Sequence, residues 1–151
     1  MRIERNGRAF YESAAKRMPR QDSAAVLLDL AKMEAEHEEV FAAMQKALES
    51  HAYQKTSYTP HDEAYEFLRA TADKSVFDPQ RGPGDVLGSG SDPAAILNVA
   101  IELEKDTVAF YEAIKPLIPE ELRGEKIEAI IAQEVGHIMA LTEQLAQIET
   151  G

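Results

Sequence analysis

Residues 27–48 read LLDLAKMEAEHEEVFAAMQKAL, and 100 positions later residues 127–148 read IEAIIAQEVGHIMALTEQLAQI. Leu27, Leu30, Glu34, His37, Phe41, Met44 and Leu48 follow alternating steps of three and four, the spacing of a helix stripe turned toward a bundle core. In the later copy the stripe is Ile127, Ile130, Glu134, His137, Leu141, Gln144 and Ile148, with Leu145 beside the polar Gln144. A carboxylate and an imidazole one turn apart are unfavourable to bury on an apolar face, yet here they recur at the same register.

The same offset pairs Glu4, Phe10, Tyr11 and Glu12 with Glu104, Phe110, Tyr111 and Glu112, and Pro19 with Pro119. Only nine of 51 aligned pairs are identical, so the repeat is carried by particular side chains rather than by overall likeness. The upstream segments have stripes of their own: Glu4, Gly7, Tyr11, Ala14 and Met18 in the first, and Leu97, Ala100, Glu104, Thr107, Tyr111, Ile114 and Ile118 in the third. All four stripes therefore hold a Glu at a core position. Alternating apolar runs of strand length are absent, and Gly and Pro gather in the middle of the chain. The expected fold is all-α: a four-helix bundle of two duplicated helical hairpins, about 1–50 and about 93–149, within a single domain spanning 1–151.

The connection between the hairpins, about 51–92, is far longer than the ~2–8 residues that join direct antiparallel neighbours. A crossover along the bundle accounts for that length and makes the second and third helices parallel. Within it Thr59-Pro60-His61-Asp62 has the form of a helix start, followed by Ala64, Phe67, Leu68 and Ala72 as an apolar face, so a short extra helix is expected. Asp92-Pro93 is expected to cap the third helix, and Asp22 or Ser23 the second.

Glu4 precedes Pro19 by fifteen residues and Glu34 follows it by fifteen; Glu104, Pro119 and Glu134 repeat that symmetry. At ~1.5 Å per residue each Glu lies about 22 Å from its turn, so the two carboxylates of a hairpin meet at one height. His37 and His137 follow one turn beyond Glu34 and Glu134 on the same faces. A pseudo-two-fold packing of the hairpins then brings four carboxylates and two imidazoles to one level of the core. Four buried carboxylates need compensation, because desolvating each charge is unfavourable and like charges repel. Two divalent cations supply it, and four carboxylates with two His suit iron or manganese. In that arrangement Glu34 and Glu134 bridge the ions, Glu4 and Glu104 bind terminally, and each His holds one ion. Open positions remain for dioxygen, peroxide or water.

Tyr11 and Tyr111 lie seven residues beyond Glu4 and Glu104 on the same stripes. They read as core residues with satisfied hydroxyls, or else as hydrogen-bond partners of the ligand carboxylates or one-electron shuttles. Glu12, Glu36, Glu38, Glu39 and Glu112 read as surface charge or as groups just behind the ligands, Arg2, Arg5 and Arg8 read as a solvated face, and His51 and His61 receive no role. The 151 residues include 27 acidic and 16 basic side chains, and the net charge of -11 opposes nucleic acid and anionic membrane surfaces as partners. With no Cys, disulfides, a thiol nucleophile and Cys-ligated iron–sulfur or zinc centres are excluded, so a metal must sit on oxygen and imidazole. No run approaches the ~20 apolar residues of a membrane span and the opening residues lack an apolar stretch, so a cytoplasmic location is expected.

The order of these residues, a Glu, a Glu-x-x-His, a long connection, a Glu and a second Glu-x-x-His, resembles the ferritin-like superfamily, specifically rubrerythrin-like proteins. The resemblance covers both hairpins. It implies a carboxylate-bridged di-iron centre held by Glu4, Glu34, His37, Glu104, Glu134 and His137, often in a homodimer. It also implies an oxidoreductase that acts on dioxygen or peroxide, as a ferroxidase or a peroxide reductase. Where peroxidase rubrerythrins bear an extra ligand Glu one turn after the third-helix Glu, this chain has Thr107. Their electron-delivering rubredoxin domain requires Cys, which this chain lacks, so a separate electron donor is implied. Only three residues precede Glu4, so the first helix is expected to start abruptly. Non-catalytic iron binding or storage uses the same ligands and stands as the alternative, although ferritin cages add a further helix where this chain ends at Gly151. A structural bundle whose site holds zinc or has lost its metal is the third possibility.

Overall fold

Proline sets where each hairpin turns. In the structure, a computed structural model that describes residues 2–54, 92–123 and 125–151, α1 spans Arg2–Ala15 and ends ahead of Pro19. Arg17 and Met18 donate their N–H groups to the carbonyls of Ala14 and Ala15, tightening the last turn before the chain reverses. α2 spans Gln21–Gln54, with neither Pro nor Gly among its 34 residues to interrupt it. It therefore continues past Ser50, the end expected from its stripe. α3 spans Pro93–Ile114; the Asp92 carboxylate accepts the Ala95 N–H at 2.9 Å and Pro93 opens the first turn. Pro116 stops this helix, and the chain passes through a 3-10 turn at Lys115–Leu117 and a single helical turn at Glu120–Arg123. α4 then spans Lys126–Thr150. Among the described residues these four long helices carry the fold and no strand occurs. The short helix expected around Thr59, Phe67 and Leu68 lies outside the described residues.

The start of α2 differs from the expected cap. The helix begins at Gln21, so Asp22 and Ser23 lie inside its first turn, and the Ala24 N–H is bonded to the Arg20 carbonyl at 3.1 Å. Ser23 is buried and its hydroxyl donates across the bundle to Gln144 Oε1 at 2.9 Å. A hydroxyl engaged by another helix ties the hairpins together instead of capping its own.

α1 packs along α2 and α3 along α4, and the hairpins join through α2 against α4 and α1 against α3. Ser23 meets Gln144 and His37 meets Gln133, so α2 and α4 run antiparallel. At one end of the bundle Met18, Pro19, Arg20, Pro93, Ile148 and Gly151 surround a single cleft, which sets the starts of α2 and α3 level. Those two helices are therefore parallel.

The periodic stripes form the buried faces. Tyr11, Ala14 and Met18 of α1, Leu27, Leu30, Phe41 and Met44 of α2, Leu97, Ala100, Tyr111 and Ile114 of α3, and Ile127, Ile130 and Leu141 of α4 are all in the core. Gln144, Leu145 and Ile148 are half-buried, and the Leu48 side chain lies outside the described residues. Aromatic pairs stiffen the middle of the bundle: ring centroids are 5.5 Å apart in both Phe10–Tyr11 and Phe110–Tyr111, and 6.3 Å apart in Phe41–Tyr111. No helix among the described residues is long and apolar enough to cross a membrane.

Candidate metal centre

Glu4, Glu34, His37, Glu104, Glu134 and His137 converge in the interior, none more than 4% exposed. They form two overlapping groups whose ligand atoms lie within 4.8 Å of one another. One holds Glu4, Glu34, His37 and Glu134, the other Glu34, Glu104, Glu134 and His137. Antiparallel packing of α2 and α4 sets each helix's Glu opposite the other's His. Glu134 places Oε1 2.9 Å from His37 Nδ1 and Oε2 2.9 Å from His137 Nδ1. Glu34 places Oε2 4.0 Å from His37 Nδ1 and Oε1 3.9 Å from His137 Nδ1. The two imidazole rings stack with centroids 5.8 Å apart and planes 20° from parallel.

Neighbouring residues shape the site. Gly7 places α1 beside the Glu34 carboxyl, where an added Cβ would lie 3.4 Å from Glu34 Cδ, in ordinary contact. The Tyr11 hydroxyl donates to Glu104 Oε1. Tyr11 thus acts on a candidate ligand carboxylate, whereas the fully buried hydroxyl of Tyr111 has no hydrogen-bond partner and does not meet the expectation of a satisfied core tyrosine. Thr107, one turn beyond Glu104, turns its hydroxyl onto the Leu103 carbonyl of its own helix at 2.9 Å. Periodicity did not single out Gln133, whose Oε1 lies 2.7 Å from His37 Nε2. It is a polar residue beside Glu134, one step off the buried stripe. Away from the site, Arg5 pairs with Glu38 at 2.9 Å and Arg8 with Glu12 at 3.0 Å on the surface.

The buried polar atoms without a hydrogen-bond partner gather here: both oxygens of Glu4 and of Glu134, Glu104 Oε2, and Nδ1 of both histidines. Stranded buried polar atoms are rare in folded proteins, and each costs about 1–3 kcal/mol. Their convergence, with oxygen and imidazole donors facing a common volume, fits cation binding, and both groups can hold a metal ion.

In the cation-free molecule protons take over part of that compensation. Burial raises Glu104 from its ordinary 4.5 to about 7, against the pull of His137. Burial would raise Glu134 too, but contact with His137 and then His37 holds it near 2. Burial opposes the charge on His137, yet Glu104 and Glu134 lift it from 6.5 to about 9. Burial also raises Glu4, and lifts Glu34 well above the usual carboxylate range with a further push from Glu4.

A pH signature follows. The raised Glu104 contributes stability that is lost as pH climbs from 4.5 to about 7, and that of His137 is lost between 6.5 and about 9. The depressed Glu134 acts in the opposite sense, but its contribution is complete above 4.5 and is constant over this range. Cation-free protein is therefore expected to lose thermal stability from pH 5 to 9. Metal binding expels these protons, so the stabilisation by added manganese(II) is expected to grow from pH 5 to 8. Melting curves with and without the ion check both signs; a cation-free melting temperature that rises over that interval contradicts the assignment.

Comparison with protein-family models, with curated proteins and with solved structures finds no match to this chain. The described residues define a class of protein: a helical bundle with a buried carboxylate–imidazole cluster that could hold a metal ion.

Proposed function

We propose that this protein is a di-iron oxidoreductase of rubrerythrin-like, ferritin-like character, acting on dioxygen or peroxide. The observation that carries the reading is the sharing of Glu34 and Glu134, each with one oxygen toward His37 and the other toward His137. A single ion would not require that arrangement; an adjacent pair does. Four carboxylates and two imidazoles exceed the four-coordinate, nitrogen- and sulfur-rich sets typical of structural zinc. They suit iron first and manganese next.

Glu4 and His37 would hold one ion, Glu104 and His137 the other, with Glu34 and Glu134 shared. When bound, a ferrous pair supplies the two electrons that reduce peroxide to water as two protons are taken up. The Tyr11 hydroxyl orients the Glu104 carboxyl. Phe10, Phe41, Phe110 and Ile114 are buried in the same helical core and keep it apolar, which would limit the access of bulk water. Electrons for a further turnover come from a separate donor, since the chain has no Cys to hold an electron-transfer centre of its own kind.

Protein loaded anaerobically with ferrous ions tests this reading. Addition of peroxide or dioxygen is expected to raise the near-ultraviolet absorbance and consume oxidant, at one peroxide for each ferrous pair. Ferrous ions that bind but reduce neither oxidant would overturn it.

A further inference from the structure

We infer that the two cation positions are unequal, and that Gln133 makes the position at His37 and Glu4 fill before the one at His137 and Glu104. The inference rests on the di-metal reading above. An exact repeat would give every partner in one half a counterpart 100 residues away. One part-buried hydrogen bond, at the histidines, departs from that symmetry.

Both rings turn Nδ1 toward Glu134, so the ligating tautomer carries its proton on Nε2. His37 Nε2 has Gln133 Oε1 at 2.7 Å to receive that proton's hydrogen bond, whereas His137 Nε2 is buried without a partner. The residue 100 positions before Gln133 is Met33, a thioether where the repeat would need an acceptor. An N–H donated to an acceptor fixes the ring and makes the other nitrogen a stronger ligand. His37 has that support and His137 does not.

Glu34 and Glu134 serve both positions, so this difference between the histidines separates them. A singly loaded chain therefore carries its ion at His37 and Glu4, leaving the other position as the exchangeable one.

Titration of the full chain with cobalt(II), followed by calorimetry and visible absorption, tests the inference. Two steps are expected, separated by about 10–100-fold in dissociation constant. Gln133→Met, which reproduces the Met33 arrangement, is expected to weaken the tight step by about 10–100-fold, while Gln133→Glu, which keeps an acceptor, retains it. Met33→Gln is expected to tighten the weak step, a gain that a general packing defect would not produce. Two equal steps in the unaltered protein, or an unchanged tight step in Gln133→Met, would overturn the inference while leaving the di-metal centre standing. No cobalt(II) binding at all would overturn both.

Discussion

Glu134→Ala is expected to abolish paired metal binding. Glu134 is fully buried, and its two oxygens each lie 2.9 Å from the Nδ1 of a different histidine, so one substitution removes a ligand atom from both cation positions. Loss of an outer hydrogen-bond partner typically weakens a metal site by about 10–100-fold; loss of a shared ligand is expected to exceed ~100-fold at each position. Glu134→Gln separates chemistry from packing, because it keeps the side-chain volume while replacing one carboxylate oxygen with an amide nitrogen that cannot ligate. Glu36→Ala is the control, since that exposed carboxylate two residues from Glu34 belongs to neither group. Equilibrium dialysis against manganese(II) reads the result. A Glu134→Ala protein that still takes up two ions with unaltered affinity contradicts the site, whereas equal losses in Glu36→Ala would mean that the ions bind to general surface charge.

Saturating metal is expected to raise the melting temperature by roughly 10–20 °C. Cations bound only by the folded chain stabilise it by about 2.7 kcal/mol per site at 100 times the dissociation constant, so two sites contribute about 5 kcal/mol. For a chain of this size each kcal/mol moves the midpoint by about 2–4 °C, and the like-charge repulsion relieved in the core acts in the same direction. Differential scanning calorimetry before and after adding manganese(II), with reversal by a chelator, measures the shift. Glu134→Gln should lose most of it. If the unaltered protein melts at the same temperature with and without the ion, the buried acids are compensated by protons alone.

The parts of this molecule legible in the sequence are those that depend on spacing. Steps of three and four mark Leu27 through Met44 and Ile127 through Leu141 as buried faces, and those residues line the core. The matched distances of Glu4 and Glu34 from Pro19, and of Glu104 and Glu134 from Pro119, single out the residues that converge inside. Spacing fixes where Cβ atoms lie and does not fix rotamers. It therefore could not reveal that both imidazoles use Nδ1, or that Glu134 divides its oxygens evenly between them. Nor could it pick out Gln133, which is one of many polar residues until the opposing helix brings His37 to it. Ser23 fits an N-cap by residue type, but its hydroxyl is taken by Gln144 on α4, a partner 121 residues away. The end of α2 was misplaced because residues 51–54 contain nothing that breaks a helix.

Diffraction from crystals grown with ferrous or manganese(II) ions, recorded on either side of the metal's absorption edge, tests the central claim most directly. Two anomalous peaks are predicted about 3.5–4 Å apart between Glu34 and Glu134, one beside His37 and the other beside His137. A core without anomalous signal at saturating metal, or peaks confined to exposed carboxylates, would contradict it.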